Sequence, residues 1–171
     1  MQIPILQTLI ELEAIRLRHP EPFAIGSAEE TAALARFTGF YARFAADRIE
    51  KHLDLTYAPD VYFNDTLKEV QGSIALAHYL RESASAVEDC VVEYQDISRN
   101  AHGEYLVRWK MMIRFRKLAR SQETWSIGIS HLRFAADGRV AYHQDYWNAA
   151  DGVYQHIPLL GWMIRTIRKR F

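Results

Sequence analysis

In "AYHQDYW", residues 141 to 147, a histidine and an aspartate stand two positions apart. On a β-strand that spacing puts His143 and Asp145 on one face, with Trp147 next in the row. A carboxylate beside an imidazole can orient the ring and hold a charge on it, and the imidazole can take a proton directly. A second carboxylate, Asp65, closes "VYFND". Phe63 shares its face and gives it an apolar companion. In an apolar pocket such a carboxyl has a raised pKa and can move a proton beside a carbonyl. Each also has a plainer reading: Asp65 as the cap of a turn before Leu67, and His143 with Asp145 as a structural pair.

Tyr41, Phe44, Phe63, Trp109, Trp125 and Trp147 can wall a pocket for a flat apolar ligand, though a core of such residues looks the same in sequence. Seven histidines occur without H-E-x-x-H or paired-cysteine spacing, so no metal site is expected. No glycine-rich phosphate loop appears, and no cofactor is expected. The lone Cys90 cannot form an internal disulfide, which fits a cytoplasmic protein. Lys plus Arg and Asp plus Glu both number 21, and this balance argues against a nucleic-acid binder. A hydrophobic content of 49% argues against disorder, and 171 residues suit one domain with a real core. No apolar run is long enough to span a bilayer. The N-terminus lacks a positive start and is broken by charges, which makes a poor signal peptide.

The elements that must position these residues follow from periodicity. Residues 4 to 18 read as a short helix that "HPEPFAIG" ends, so 1–26 form a leader and linker, packed on the domain or on a partner. Residues 27–171 read as one domain. Ser27 and Glu30 have capping-box spacing, and Leu34, Phe37, Tyr41 and Phe44 continue a helical stripe to about His52. "YAPDVYFNDT" reads as a turn into a short strand, and Gly72-Ser73 open a further helix. The period then changes to alternation. In "EYLVRWKMMIRFRK" Tyr105, Val107, Trp109, Met111, Ile113 and Phe115 share one face, opposite a largely charged one. "CVVEYQDIS", "ETWSIGISHLRF" and "VAYHQDYW" complete four long antiparallel strands, with "RNAHGE", "KLARSQ" and Asp137-Gly138 at the turns. In "ETWSIGISHLRF" the inward face is open: Trp125, Ile127, Ile129 and His131 compete with Ser126, Gly128, Ser130 and Leu132. The second set leaves room for a ligand. Helices followed by strands imply an α+β domain, a curved sheet wrapped over helices like a cone.

The final "PLLGWMIRTIRKRF" predicts a helix after Pro158. Its basic residues suit a helix C-terminus packed on its own domain, which is the more ordinary arrangement. They also suit peripheral contact of residues 159–171 with an anionic membrane.

Four stretches carry a family resemblance: "YAPDVYFNDTLKEVQG" (57–72), "GISHLRFAADGRV" (128–140), "HQDYWNAAD" (143–151) and "PLLGWMIRTIRKRF" (158–171). With the order of elements, they resemble the NTF2-like superfamily, which includes SnoaL-like polyketide cyclases, ketosteroid isomerases and limonene epoxide hydrolases. More narrowly they resemble a bacterial SnoaL-like, "nuclear transport factor 2 family" group whose pattern runs Y-A-P-D-V-x-F-x-D-P and H-x-D-Y-W-D. Thr66 stands where the group has proline, and Asn148 where it has a second acid. The resemblance implies a cone-shaped domain, a homodimer through the sheet, and a small apolar ligand. It implies proton-transfer chemistry of isomerase, cyclase or dehydratase type, or a non-catalytic binder or scaffold. Asp65 falls where ketosteroid isomerases carry a general base, and Asp145 with His143 where SnoaL-like cyclases carry an acid/base. Tyr62 and Asn64 resemble the water-positioning pair of the epoxide hydrolases, but they lie on the face opposite Asp65. Only one face can point inward, and the apolar Phe63 favours that of Asp65.

Overall fold

The computed structural model describes residues 4–20, 23–118 and 122–170. Helix α1 (Pro4–Arg18) comes first, then α2 (Ala28–Tyr41) and α3 (Ala46–Thr56). Strands β1 (Tyr57–Asn64) and β2 (Glu69–Gln71), helix α4 (Ser73–Ala86) and the long strands β3 (Val87–Arg99), β4 (Tyr105–Phe115), β5 (Glu123–Phe134) and β6 (Val140–Trp147) follow. The chain closes with α5 (Ala149–Gly152), a 3₁₀ turn (Tyr154–His156) and α6 (Pro158–Arg168). The middle of the turn expected at "KLARSQ", and Phe171 of the tail, lie outside the described residues.

The strands form one six-stranded sheet in the order β2-β1-β6-β5-β4-β3. Neighbours are antiparallel except β1 and β6, which run parallel. Register shifts at Val87/Asp89 and Tyr94/Asp96 mark bulges in β3. Bulges bend a strand and increase its twist, and this sheet is curved and unclosed.

The inner face carries the main core. Ala33, Phe37 and Phe40 of α2, Ile49 and Leu53 of α3, and Leu76, Leu80 and Ala84 of α4 pack on Val61, Phe63, Val107, Leu132 and Val140. Their helical spacing gives each helix one apolar stripe for that face. Ser27 caps α2, its Oγ accepting from the Glu30 N–H at 3.1 Å. Glu30 reaches back one residue further than a capping box does, accepting from the Gly26 N–H at 2.6 Å.

The single helix expected to run to His52 is two. The chain leaves α2 at Ala42, pairs Arg43 with Val91 of β3, and donates the Phe44 N–H to the Cys90 carbonyl at 3.0 Å. No Gly or Pro marks the break. The edge of β3 supplies backbone partners that outweigh local helix propensity.

Helix α1 lies on the outer face. Leu12 and Ile15 bury themselves against Ala58, Tyr62, Ala141 and Tyr142. Glu104 fastens it, accepting from Arg16 Nε at 2.6 Å and Nη2 at 3.0 Å.

Candidate active site

Between the inner face of the sheet and α2 and α4 lies a cavity of about 270 Å³. Its position follows from register. Ser130 of β5 stands opposite Asp145 of β6, and Phe63 of β1 opposite His143. Trp109, Gly128 and Trp147 make a cross-strand row on β4, β5 and β6. The small middle member lets the two tryptophans close over it: a Cβ on Gly128 would meet Trp109 Cη2 at 2.5 Å and Trp147 Cβ at 2.7 Å.

Strand β5 turns Thr124, Ser126, Ser130 and Leu132 inward as buried residues. Trp125, Ile127 and Ile129 point outward, 50%, 59% and 38% exposed. Trp125 is therefore not a pocket wall; its ring lies under the Lys110 ammonium on the outer face. The other expected walls, Tyr41, Phe44, Phe63, Trp109 and Trp147, line the cavity, and so do Asp65, His143 and Asp145.

His143 is buried among aromatic rings. Phe63 and Phe37 meet it edge-on, with centroids at 4.8 and 5.4 Å. Its Nε2 lies 2.8 Å from Asp145 Oδ1, and its Nδ1 lies 2.8 Å from the Tyr57 hydroxyl. Tyr41 and Tyr57 share a hydrogen bond of 2.6 Å. On the other side Ser130 Oγ donates to Asp145 Oδ1 at 2.5 Å and accepts from Trp109 Nε1 at 2.9 Å. A carboxylate at Asp145 accepts from both neighbours, which assigns the imidazole proton to Nε2 and leaves Nδ1 to accept from Tyr57. Donors from two directions thus converge on one carboxylate. Its Oδ1 is fully engaged, and Oδ2 has no partner among the described residues. Burial pushes the hydroxyls of Tyr41 and Tyr57 well above their ordinary pKa, so both stay protonated donors.

Asp65 serves its turn as well as the cavity. Its Oδ1 accepts from the Leu67 and Lys68 N–H groups at 3.0 and 2.8 Å, and Oδ2 accepts from the Tyr79 hydroxyl at 2.5 Å. Burial raises its carboxyl pKa, the bonds from Tyr79 and Lys68 oppose the rise, and the charge of Asp145 adds to it. Thr66 sits at φ 71°, a conformation no proline can adopt, so its replacement of the group's proline goes with a different turn. Tyr62 and Asn64 face away from the cavity, Tyr62 bonding Thr8 of α1 at 2.9 Å. Asn148 caps α5, accepting from the Asp151 N–H, and is not among the cavity walls.

Sequence reasoning missed Tyr57, Tyr79 and Tyr94, and reached Ser130 only as a member of one of two competing faces of β5. Single hydroxyls have no spacing that announces them. Tyr94 lines the cavity, and its hydroxyl is buried without a partner among the described residues. Burial, and then the nearby Asp145, push its pKa far up, so it remains a donor. Among the described residues no group of three His, Cys, Asp or Glu is arranged to hold a metal ion.

A curved sheet folded over helices around an apolar cavity is the NTF2-like architecture. The chain belongs to the SnoaL-like domain family, whose model matches residues 37–143. No curated protein matches. Solved structures of the same fold include an NTF2-like protein of unknown function from Exiguobacterium, 18% identical with a TM-score of 0.58, covering 68% of this chain and 98% of that one. An LEH-like epoxide hydrolase of M. tuberculosis is 15% identical with a TM-score of 0.59, covering 81% and 98%. A hypothetical protein with a ketosteroid isomerase-like fold from Catenulispora acidiphila, in complex with trimethylamine, is 10% identical with a TM-score of 0.60, covering 72% and 91%. At these identities the likeness is one of fold.

Proposed function

We propose that this chain is an enzyme that moves a proton on a small apolar molecule, using side chains alone. The substrate class is lipid-, terpenoid- or polyketide-like, and the reaction an isomerisation, cyclisation or dehydration. The observation that carries this reading is the open Oδ2 of Asp145 in an apolar cavity, with Oδ1 fixed by His143 and Ser130. A fixed carboxylate with one free oxygen is the form a general base takes. His143, steadied in turn by Tyr57, holds it in place while it takes the proton and returns it to the substrate. The unpaired Tyr94 hydroxyl suits an oxygen on the substrate, where negative charge would gather as the proton leaves. Asp65, with both oxygens bonded, fits better as a wall and a second charge than as the base. A cytoplasmic location goes with this reading, since Cys90 is buried and needs no partner.

The test is deuterium uptake from heavy water into a panel of apolar ketones and enones, followed by mass spectrometry. Uptake that Asp145→Asn abolishes while ligand still binds supports the base. Ligands that bind without uptake in the parent remove the chemistry and leave the second reading, a non-catalytic binder or scaffold. That reading draws on the turn-capping bonds of Asp65 and on the outer face. There Trp125, Ile127, Ile129 and Tyr146 form an exposed apolar patch suited to a homodimer through the sheet.

A further inference from the structure

Helix α6 attaches to the rest of the chain by the side with least to bury. Gly161 lies so close to the 3₁₀ turn that a Cβ on it would sit 2.0 Å from the Gln155 carbonyl oxygen. Arg165 Nη1 donates to that same carbonyl at 3.3 Å, and Arg168 Nη1 pairs with Asp151 Oδ1 at 2.5 Å. Residues 161, 165 and 168 follow one edge of a helix. Across from that edge stand Leu159, Trp162, Met163 and Ile167, which are 72%, 61%, 46% and 54% exposed. A helix folded onto its own core turns its apolar stripe inward. This one keeps only Leu160 and Ile164 half-buried and turns the other four out, so the cation-capped, self-packed helix expected from sequence is only half of what is found.

Residues 159–170 hold Arg165, Arg168, Lys169 and Arg170 and no acid, in a chain of zero formal charge. Lys169 and Arg170 have no ion-pair partner among the described residues. We propose that α6 docks the protein on an anionic lipid surface. Its exposed apolar residues enter the boundary between headgroups and acyl chains, and its cations meet the headgroups. Tryptophan suits that boundary, and a short helix with one apolar and one basic face lies in its plane. Among the described residues no helix is long and apolar enough to cross a membrane. The other candidate occupant is α6 of a second copy. Packed parallel, two copies would set like cations side by side, and packed antiparallel each would set its C-terminal cations against the positive N-terminal end of the other helix, with no acid in residues 159–170 of either, which favours the lipid. Val153, which lines the cavity, immediately precedes the turn that carries α6, so a docked helix holds the cavity wall near the surface.

The experiment is co-sedimentation of the full chain with vesicles of phosphatidylcholine alone or mixed with phosphatidylglycerol. The protein should pellet with the mixed vesicles only, and less as salt rises. Lys169→Gln with Arg170→Gln should weaken partitioning about twenty-five-fold, since each cation near such a surface contributes about fivefold. Trp162→Glu with Met163→Glu should abolish it while the thermal midpoint is kept, because both residues are exposed. Failure to pellet with mixed vesicles, or a glutamate variant that pellets like the parent, overturns the proposal. So does a lipid-free dimer that Trp162→Glu splits, which would give this face to a second copy.

Discussion

Tyr57 meets His143 end-on, the two rings 6° from parallel with centroids 6.0 Å apart, and its hydroxyl is 2.8 Å from Nδ1. Both residues are buried, so the hydrogen bond has no water to replace it. Together with the Asp145 carboxylate it sets which imidazole nitrogen carries the proton, and it supports the ring that orients Asp145. Tyr57→Phe keeps the ring and its contacts with Phe40 and Phe63 and removes the bond. We expect a loss of about 1–3 kcal/mol in chemical denaturation, the usual cost of stranding a buried acceptor. Nitrogen NMR of His143 should show Nε2 protonated in the parent and a mixture of tautomers in the variant. An unchanged tautomer would mean that Asp145 alone orients the ring.

Asp65 should reveal itself through pH. Burial raises its carboxyl pKa in the folded chain, and Asp145 adds to the rise. Between the unfolded and folded values the folded chain holds a proton the unfolded chain has lost, so stability falls as pH rises through that window. Above it the parent carries a standing cost that Asp65→Asn lacks. The amide oxygen can still accept from Leu67 and Lys68. The variant should therefore be at least as stable as the parent at neutral pH, with its advantage shrinking on acidification toward the ordinary carboxylate range. A lower thermal midpoint at neutral pH would show that the charge itself is needed to cap the turn.

The legible parts of this sequence were those whose period agreed with their burial. Strand β4 puts Val107, Trp109 and Ile113 inward in strict alternation, and His143 with Asp145 follow the same rule on β6. Strand β5 inverts it: the outward row of Trp125, Ile127 and Ile129 is more apolar than the inward Ser126, Gly128 and Ser130. Residue type pointed one way and position the other. The split of α2 from α3 depends on Cys90 and Val91, far along the chain, which no local pattern reports. "YAP" reads as a turn because proline cannot donate to a sheet ladder. Yet β1 already begins at Tyr57, with a register shift against β6 before Tyr62, and that shift falls where Pro59 sits. The hydroxyls that hold the site were invisible because their partners are set by register across strands.

Gly128 tests whether the cavity depends on the space between two tryptophans. Trp109 and Trp147 sit 6.4 Å apart with planes at 49°, one on each side of it. A methyl there cannot fit without moving an indole, since the nearest atoms are 2.5 Å away. Gly128→Ala should cost about 1–3 kcal/mol, the usual range for overpacking. It should also shift the indole N–H resonance of Trp109, whose bond to Ser130 is next to the displaced ring. A variant with parental stability and an unmoved Trp109 signal would show that the row gives way elsewhere.

Glu104 tests how α1 is held on the outer face. Its carboxylate is fully buried and accepts from Arg16, Asn100 and His131, with Arg133 at 3.8 Å. Burial by itself would raise its pKa, but the bonds from His131, Arg16 and Asn100 outweigh that and hold it well below the usual carboxylate range. A depressed folded pKa stabilises the fold fully above the unfolded value, and the contribution fades as pH falls below it. Glu104→Gln keeps the shape and takes the counter-charge from the buried Arg133, while Arg16 keeps only its exposed partner Glu13, so we expect a loss of about 3 kcal/mol at neutral pH. The difference between parent and variant should narrow in acid, because the parent then loses what the variant never had. Hydrogen exchange should rise first in residues 8–18, where Arg16 is the released anchor. A variant with the parent's stability and acid profile, and no faster exchange in α1, would mean that Leu12 and Ile15 hold the helix without the charge.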